Sequence, residues 1–195
     1  MKNTYYLLRH GESLKNVEGF ESSWPEKKRV TLTAKGIKEA KAAAKLAKNK
    51  KIDLIFSSNL LRTKQTAEII AKELGIKTKT DKRLREVGLG IFNGMSSWDF
   101  GPFWNDGKEL TPLQHYNNRY KFPAPGGETY KDVEDRLKDF LKETENNYKK
   151  KNIIIVSHSR PLSLFEKIAR KHSFERFVKM ITDKKEIKTG ELRRI

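Results

Sequence analysis

The sequence contains no cysteine among its 195 residues. This absence excludes a disulfide framework, thiolate metal ligands and a thiol nucleophile. No apolar run approaches the roughly 18 residues that a membrane-spanning helix requires, and the N-terminus lacks the apolar core and the small-residue cleavage site of a secretory signal. We therefore expect a cytoplasmic protein that does not enter a membrane.

Motifs for metals and nucleotides are missing as well. The four histidines form no metal-binding pattern such as His-Glu-x-x-His. Gly88, Gly90 and Gly94 miss the spacing of the dinucleotide-binding fingerprint by one residue. We therefore expect neither a metal ion nor a nucleotide cofactor.

Positive charge is in excess. The chain has 42 Lys and Arg against 25 Asp and Glu, a formal net charge of +17. Such a charge attracts nucleic acid, an anionic membrane surface or a small phosphorylated substrate. The basic residues are spread along the chain and interleaved with Glu and Asp, a pattern typical of a solvated surface. We therefore favour a small phosphorylated substrate over nucleic acid as the partner, and the oligomeric state stays open.

Length and composition indicate one folded domain. A chain of 195 residues with 36% hydrophobic residues can bury a sizeable core, and no repeat or linker divides it. We expect residues 1–195 to form a single domain. The aromatic-rich segment at about 95–125, which includes Trp98, Trp104 and Tyr120, shows no clear helix or strand pattern. Because long loops in compact domains are often lids, we expect a lid-like insertion over the functional site.

Strand-like and helix-like patterns alternate along the chain. Short apolar runs at 5–8, 53–57 and 153–157 are typical of buried strands, and a shorter strand is predicted at 77–80. Helical patterns follow these runs. This alternation predicts the α/β class: a three-layer sandwich with a mostly parallel central sheet flanked by helices.

Capping residues mark the helix boundaries. Thr33 and Asn59 are predicted N-caps of the helices that precede and follow the second strand. Gly75 is a predicted C-terminal stop, since glycine readily adopts the left-handed conformation at helix ends.

Polar side chains follow three of the predicted strands. The first strand ends in Arg9 and His10, the second in Ser57 to Asn59 with Arg62 one turn into the next helix, and the third in His158. Carboxyl ends of parallel strands lie at one edge of a sheet, where ligands bind. Guanidinium groups and helix N-termini bind phosphate oxygens, so this edge suits a phosphoryl group. Taken singly, each motif is explained equally well by solvated polar residues at a strand end.

The chemistry requires a nucleophile and an acid. A neutral imidazole can attack phosphorus and carry the phosphoryl group as a covalent intermediate. The leaving oxygen then needs a proton, which Glu12, Glu86 or Glu128 can supply, and Asp81 is a further rival. Glu86 is the most attractive of these because it precedes a glycine-rich segment that can approach the pocket.

Together, these motifs resemble those of the histidine phosphatase superfamily, also called the phosphoglycerate mutase-like family, over nearly the whole chain. Leu-Arg-His-Gly-Glu at 8–12 is similar to the Arg-His-Gly signature of the family, and 57–67 is very similar to its second signature. Further matches lie at 32–36, 84–86, 126–129 and 156–158.

The resemblance implies roles for individual residues. It implies that His10 is the phosphorylated nucleophile, that Glu86 is the proton donor and later the base, and that His158 stabilises the transferring phosphoryl group. It also implies phosphate binding by Arg9, Asn16 and Arg62.

Two features depart from the family pattern. Ser159 and Arg160 follow the second histidine where the family usually has glycine, and Ser163 stands where arginine is often found. The Arg-rich segment of true phosphoglycerate mutases is not evident around 117–120. The second departure favours hydrolysis by water over transfer between hydroxyl groups.

The sequence therefore predicts a histidine acid phosphatase-type phosphomonoester hydrolase that acts through a phosphohistidine on a small phosphorylated metabolite. Two alternatives stay open. One is a mutase that passes phosphate between the hydroxyl groups of a sugar acid, and the other is a non-catalytic basic scaffold or nucleic-acid-binding protein on the same fold.

Overall fold

A five-stranded sheet lies at the centre of the protein. The computed structural model describes residues 1–96 and 100–195. All neighbouring strands are parallel except the antiparallel pair formed by the first and last strands. This confirms the predicted, mostly parallel sheet. In the spatial order β3-β2-β4-β1-β5, the strands are β1 (Thr4–Arg9), β2 (Leu54–Ser57), β3 (Thr78–Thr80), β4 (Asn152–Ser157) and β5 (Leu192–Arg194).

Helices cover both faces of the sheet. Short 3₁₀ helices span Lys82–Leu84, Gly90–Phe92 and Gly101–Asn105. The α-helices are α1 (Leu14–Glu18), α2 (Ala34–Lys48), α3 (Leu61–Leu74), α4 (Pro112–Lys121), α5 (Tyr130–Asn147), α6 (Ser159–Arg170) and α7 (Phe174–Thr182).

Successive strand residues point into two different cores. Tyr5 and Leu7 of β1 pack in one cluster with apolar residues of α5, α6 and α7. Tyr6 and Leu8 pack in a second cluster with residues of α2 and α3. Because side chains alternate across a strand, a strand covered on both faces is apolar at every position. The three-layer α/β sandwich predicted from the sequence is thereby confirmed.

Two of the three predicted helix caps are confirmed. Thr33 caps α2 by accepting a hydrogen bond from the Gly36 backbone N–H at 3.1 Å, and Gly75 ends α3 in the left-handed conformation, as expected. The prediction for Asn59 is wrong, since the N-cap of α3 is Leu60. The Asn59 side-chain oxygen instead accepts from Nε of Arg85 at 2.6 Å, and a charged guanidinium is a stronger donor than a backbone amide.

The aromatic-rich segment contains regular structure that its pattern did not reveal. It includes the 3₁₀ helix Gly101–Asn105 and α4. Phe100 and Trp104 are buried in a small apolar cluster with Leu89 and Ala124, whereas Trp98 lies outside the described residues. Within residues 1–96 and 100–195, no helix combines the length and apolar character required to cross a membrane.

Candidate active site

The carboxyl ends of β1, β2 and β4 meet at one edge of the sheet. β4 lies between the other two strands, with Arg9 in register with Ser157. His10 and His158 follow these neighbouring strands, and the centroids of their rings are 5.3 Å apart. Arg62, near the start of α3, donates from Nε to Nε2 of His10 at 3.2 Å. The fold therefore brings together the three strand-end motifs.

Two glycines hold the loop that carries His10 against α2. A Cβ atom on Gly11 would lie 2.3 Å from the carbonyl oxygen of Gly36, and a Cβ on Gly36 would lie 1.9 Å from that of Glu12. Neither position can carry a side chain without moving backbone. The Gly11 N–H also donates to Oγ1 of Thr66 at 3.2 Å. The loop is thus attached to both α2 and α3.

The surroundings of His10 keep its Nε2 free of a proton. Nδ1 lies 2.8 Å from the Gly11 carbonyl oxygen, and we assign the proton to Nδ1 because a carbonyl can only accept. Burial, followed by the positive charges of Arg62 and Arg9, holds the pKa of His10 well below its ordinary value. His10 is therefore neutral near pH 7, the form in which imidazole is a nucleophile.

His158 has one nitrogen without a partner. Its ring is fully buried, and Nε2 lies 3.0 Å from Oγ of Ser58. When that hydroxyl donates to Nε2, the proton of a neutral His158 is on Nδ1, which is buried without a hydrogen-bond partner in the described part of the chain. Burial and the charge of Arg62 lower the pKa of His158. Nδ1 of His158 is therefore a buried donor with hydrogen-bonding capacity left over.

Arg62 is buried and held by the segment between α1 and α2. Its terminal nitrogens donate to the Ser22 carbonyl oxygen at 2.9 Å and to Oε1 of Glu26 at 3.2 Å. Burial lowers the pKa of Arg62, while the carboxylates of Glu86, Glu26 and Glu21 oppose that shift. These contacts fix the direction of the guanidinium, so that Nε points at the nucleophile.

Arg9 has an unused donor. Its Nε is buried without a partner among residues 1–96 and 100–195. One terminal nitrogen reaches the Ile187 carbonyl oxygen at 3.5 Å. Arg9 therefore has hydrogen-bonding capacity left for an anion beside His10.

A cavity of about 340 Å³ opens beside His10. Salt bridges pair two of its cations with two of its carboxylates, Lys15 with Glu21 and Arg160 with Glu186. The remaining charged groups of the wall, Arg9, Glu86 and Arg119, form no salt bridge within the described residues, although the charge of Glu86 acts on Arg62.

Among the four candidate acids, Glu86 lines the cavity with His10. Its side chain is 9% exposed, and Oε1 accepts from the Val87 N–H at 3.0 Å. The other three carboxylates do not line this cavity. They accept hydrogen bonds from neighbours elsewhere: Glu12 from Thr33 and Lys35, Asp81 from Arg83, and Glu128 from Gly88 and Arg136.

Asn16 lies on the exposed side of α1 and does not line the cavity. Its side-chain oxygen accepts from the backbone N–H and the hydroxyl of Ser13, at 3.0 and 2.8 Å, and so stabilises the start of the helix. The phosphate contact of Asn16 stays a prediction.

The residues that depart from the family pattern share one partner. Oε1 of Glu186 accepts from the hydroxyls of Ser159 at 2.7 Å and Ser163 at 3.4 Å, and it also forms the salt bridge with Arg160. Sequence reasoning flagged these three residues and missed Glu186, which lies in an irregular segment between α7 and β5. It also missed the cavity residues Lys15 and Glu21, because no local pattern distinguishes them from surface charges.

The chain is an α/β protein in which two buried histidines and Arg62 meet at one edge of a mostly parallel sheet. The model of the histidine phosphatase superfamily (branch 1) matches residues 5–191. The chain therefore belongs to this superfamily, and the resemblance inferred from the sequence is confirmed. No group of three His, Asp or Glu side chains in the described residues is arranged to hold a metal ion.

Relatives include both phosphatases and mutases. A putative phosphoserine phosphatase 2 from Hydrogenobacter thermophilus is 31% identical over 157 residues, which cover 80% of this chain and 73% of that protein. A 2,3-bisphosphoglycerate-dependent phosphoglycerate mutase from Methylobacterium sp. (strain 4-46) is 34% identical over 142 residues, which cover 70% of this chain and 65% of the mutase. These relationships support phosphoryl transfer through histidine.

A solved structure confirms the fold. A mycobacterial glucosyl-3-phosphoglycerate phosphatase in complex with VO3 has a TM-score of 0.81, with 98% of this chain and 90% of that chain covered. The sequence identity is 20%, so the likeness concerns the fold alone.

Proposed function

We propose that this protein is a phosphomonoester hydrolase that forms a phosphohistidine on His10 and acts on a small phosphorylated metabolite. One observation carries the proposal: the lone pair of Nε2 of a buried, neutral His10 faces the Nε–H of Arg62 at the edge of a cationic cavity. The proposal includes a single catalytic domain of residues 1–195, with the segment at about 95–125 as a lid.

Substrate binding uses the unpartnered donors. The phosphate oxygens accept hydrogen bonds from Nε of Arg9 and from Nδ1 of His158, both of which are buried without partners in the described residues. The Nε–H of Arg62, which donates to His10 in the absence of substrate, donates to a phosphate oxygen instead. This exchange frees the Nε2 lone pair only when an anion is present. Charge-assisted hydrogen bonds of this kind are short and strong.

The first chemical step transfers the phosphoryl group. Nε2 of His10 attacks phosphorus, the bond from phosphorus to the ester oxygen breaks, and protonated Glu86 donates its proton to that oxygen as the alcohol leaves. Arg9 and Arg62 stabilise the negative charge on the transferring group because they are already oriented.

The second step returns the enzyme to its starting state. The Glu86 carboxylate takes a proton from water while the water oxygen attacks phosphorus. The bond between phosphorus and Nε2 then breaks, phosphate is released, and the electron pair returns to His10. The same residue thus serves as acid and then as base.

Mutase activity is the second candidate, since relatives named as phosphoglycerate mutases share 30–34% identity with the chain. In a mutase the phosphohistidine would transfer its phosphoryl group to a sugar-acid hydroxyl instead of water. Incubation with 3-phosphoglycerate separates the two outcomes, because a hydrolase releases phosphate and a mutase forms 2-phosphoglycerate.

The direct test is phosphate release from p-nitrophenyl phosphate without added metal. We expect the wild type to be active, His10→Ala to be inactive, and a phosphorylated peptide containing His10 to be trapped by rapid quenching and mass spectrometry. His172→Ala changes a histidine that does not line the cavity; it is the matched control and should keep wild-type activity. An inert wild type, or equal activity in His10→Ala, would contradict the proposal and favour a binding protein on this fold.

A further inference from the structure

A second pair of arginines lines the His10 cavity in addition to the phosphate ligands. Arg119 reaches it from α4 and Arg160 from α6. Both contact Tyr130: the Arg119 guanidinium lies 4.8 Å from the centre of the ring, and Nε of Arg160 donates to the hydroxyl at 3.2 Å. Since one tyrosine side chain joins them, the two guanidinium groups are close neighbours.

Arg119 is held in place by aromatic rings and forms no salt bridge with the described residues. Its guanidinium is packed between the rings of Trp104, at 4.3 Å, and Tyr130. Nε is buried without a hydrogen-bond partner in the part of the chain that the structure describes. A desolvated guanidinium that stacks on aromatic rings is pre-organised for a carboxylate or a phosphate.

Arg160 is occupied by a carboxylate of the protein itself. Oε1 of Glu186 accepts hydrogen bonds from the Arg160 guanidinium and from the hydroxyls of Ser159 and Ser163. Glu186 is 21% exposed at the cavity wall and lies in an irregular segment that follows α7. Three donors from the start of α6 thus converge on one carboxylate oxygen, as they would on an oxygen of a bound anion.

The charges on this wall favour an additional anion. Two carboxylates, Glu21 and Glu186, stand against three cations of this wall, Lys15, Arg119 and Arg160. The charges of Arg160 and Arg119 also act on Glu21. The proposed phosphate ligands, Arg9 and Arg62, lie at the end of β1 and near the start of α3. The second arginine pair is therefore not needed to hold the phosphate, and it lies in the same cavity, where another part of a substrate would be placed.

We propose that Arg119 and Arg160 bind a second anionic group of the substrate, a carboxylate or phosphate, which takes the place of Glu186 on Arg160. The inference rests on the proposed function and names its substrate class: small phosphomonoesters that carry a second negative charge. Glu186 occupies Arg160 in the absence of substrate and competes with an anionic substituent there, whereas a neutral substituent leaves the half-buried salt bridge in place. Arg160 is thereby a specificity-determining residue.

Two pairs of substrates test this proposal. 3-Phosphoglycerate and glycerol 3-phosphate share a carbon skeleton and differ by a carboxylate in place of a hydroxymethyl group. 4-Carboxyphenyl phosphate and phenyl phosphate offer the same comparison at a longer reach. The readout is the ratio of kcat/KM for the carboxylated member to that of its partner, measured by phosphate release. p-Nitrophenyl phosphate reports the basal activity separately.

The variants are chosen to move this ratio in opposite directions. We expect the wild type to prefer the carboxylated member of at least one pair, and Arg160→Gln to lower that preference by about tenfold, the value of one charge-assisted hydrogen bond. Glu186→Gln should raise the preference, because the competing carboxylate is removed. A gain of this kind cannot come from a folding defect. Arg176→Gln removes one exposed positive charge outside the cavity and should leave the ratio unchanged.

Each outcome has a distinct meaning. Equal rates within both pairs for an active wild type would overturn the second-anion site and leave the proposed hydrolase intact. The site would also be overturned if Arg160→Gln slowed both members of a pair equally, or if Glu186→Gln failed to raise the ratio. A wild type that is inert on all five compounds would overturn the proposed function, and this inference with it.

Discussion

Nε2 of His10 accepts a hydrogen bond from Nε of Arg62 at 3.2 Å. Before substrate binds, the nitrogen proposed as the nucleophile is therefore hydrogen-bonded to a donor that is proposed to bind the phosphate. Burial of both side chains keeps this contact dry. In the proposed mechanism an incoming phosphate separates the two side chains, so that binding of the anion releases the nucleophile.

The first prediction concerns Arg62. Arg62→Lys keeps the positive charge but loses the planar guanidinium group, whose several N–H donors can bind phosphate as the hydrogen bond to His10 breaks. We expect kcat/KM for p-nitrophenyl phosphate to fall about 10- to 100-fold, the value of one or two charge-assisted hydrogen bonds. Lys64→Ala, an exposed change on the same helix, should keep wild-type activity. Undiminished kcat/KM in Arg62→Lys would argue against the phosphate-binding role.

The second prediction concerns the leaving group and Glu86. Glu86→Gln removes the proposed acid, so hydrolysis of an alkyl phosphate should slow by about 10²- to 10⁴-fold. p-Nitrophenyl phosphate should lose less activity, because its leaving group departs without a proton. Glu12→Gln and Glu128→Gln test the rival carboxylates with the same two substrates. If either of them shows this substrate-dependent loss and Glu86→Gln does not, the acid has been misassigned.

The third prediction concerns stability and pH. The pKa values of His10 and His158 are held well below the ordinary 6.5 in the folded protein. Above that pH neither histidine binds a proton in either state; below it, the unfolded chain takes up protons that the folded protein does not. The free energy of unfolding should therefore fall as the pH drops below 6.5, by up to about 1.4 kcal/mol per pH unit for each histidine.

Urea unfolding between pH 5 and 7.5 measures this dependence. The variant His10→Gln combined with His158→Gln should show a flatter profile over the same range. A double variant whose unfolding free energy declines as steeply as that of the wild type would show that the two buried histidines titrate normally.

The fourth prediction concerns the glycine contact under the His10 loop. Gly36→Ala places a methyl group 1.9 Å from the Glu12 carbonyl oxygen, so the loop must shift. We expect a loss of about 1–3 kcal/mol in unfolding free energy, as for other overpacked sites, together with a loss of phosphatase activity. Gly101→Ala meets no atom of the described residues within 4 Å and is the matched control. A Gly36→Ala protein with native stability and activity would show that this contact does not position His10.

The segments that the sequence located correctly have strong local patterns. The run at 153–157 is apolar throughout because β4 is covered on both faces, and the structure places β4 at Asn152–Ser157. β5 was not predicted, since Leu192–Arg194 is short and basic, and its place depends on backbone pairing with β1. α1 was missed for a similar reason, as its five residues form no apolar stripe.

The functional site also has one part that the sequence predicts and another that only the tertiary structure reveals. The sequence by itself determined that Arg9, His10 and His158 follow strand ends, because strand length and the residues at its end are local properties. Only the tertiary structure decided that Glu86 lines the His10 cavity and that Glu186 meets Arg160. Such contacts join residues that are far apart in the chain. Ser58 and His158, for example, are separated by 100 positions. Their geometry depends on how β2, β4 and the flanking segments pack, which no local pattern encodes.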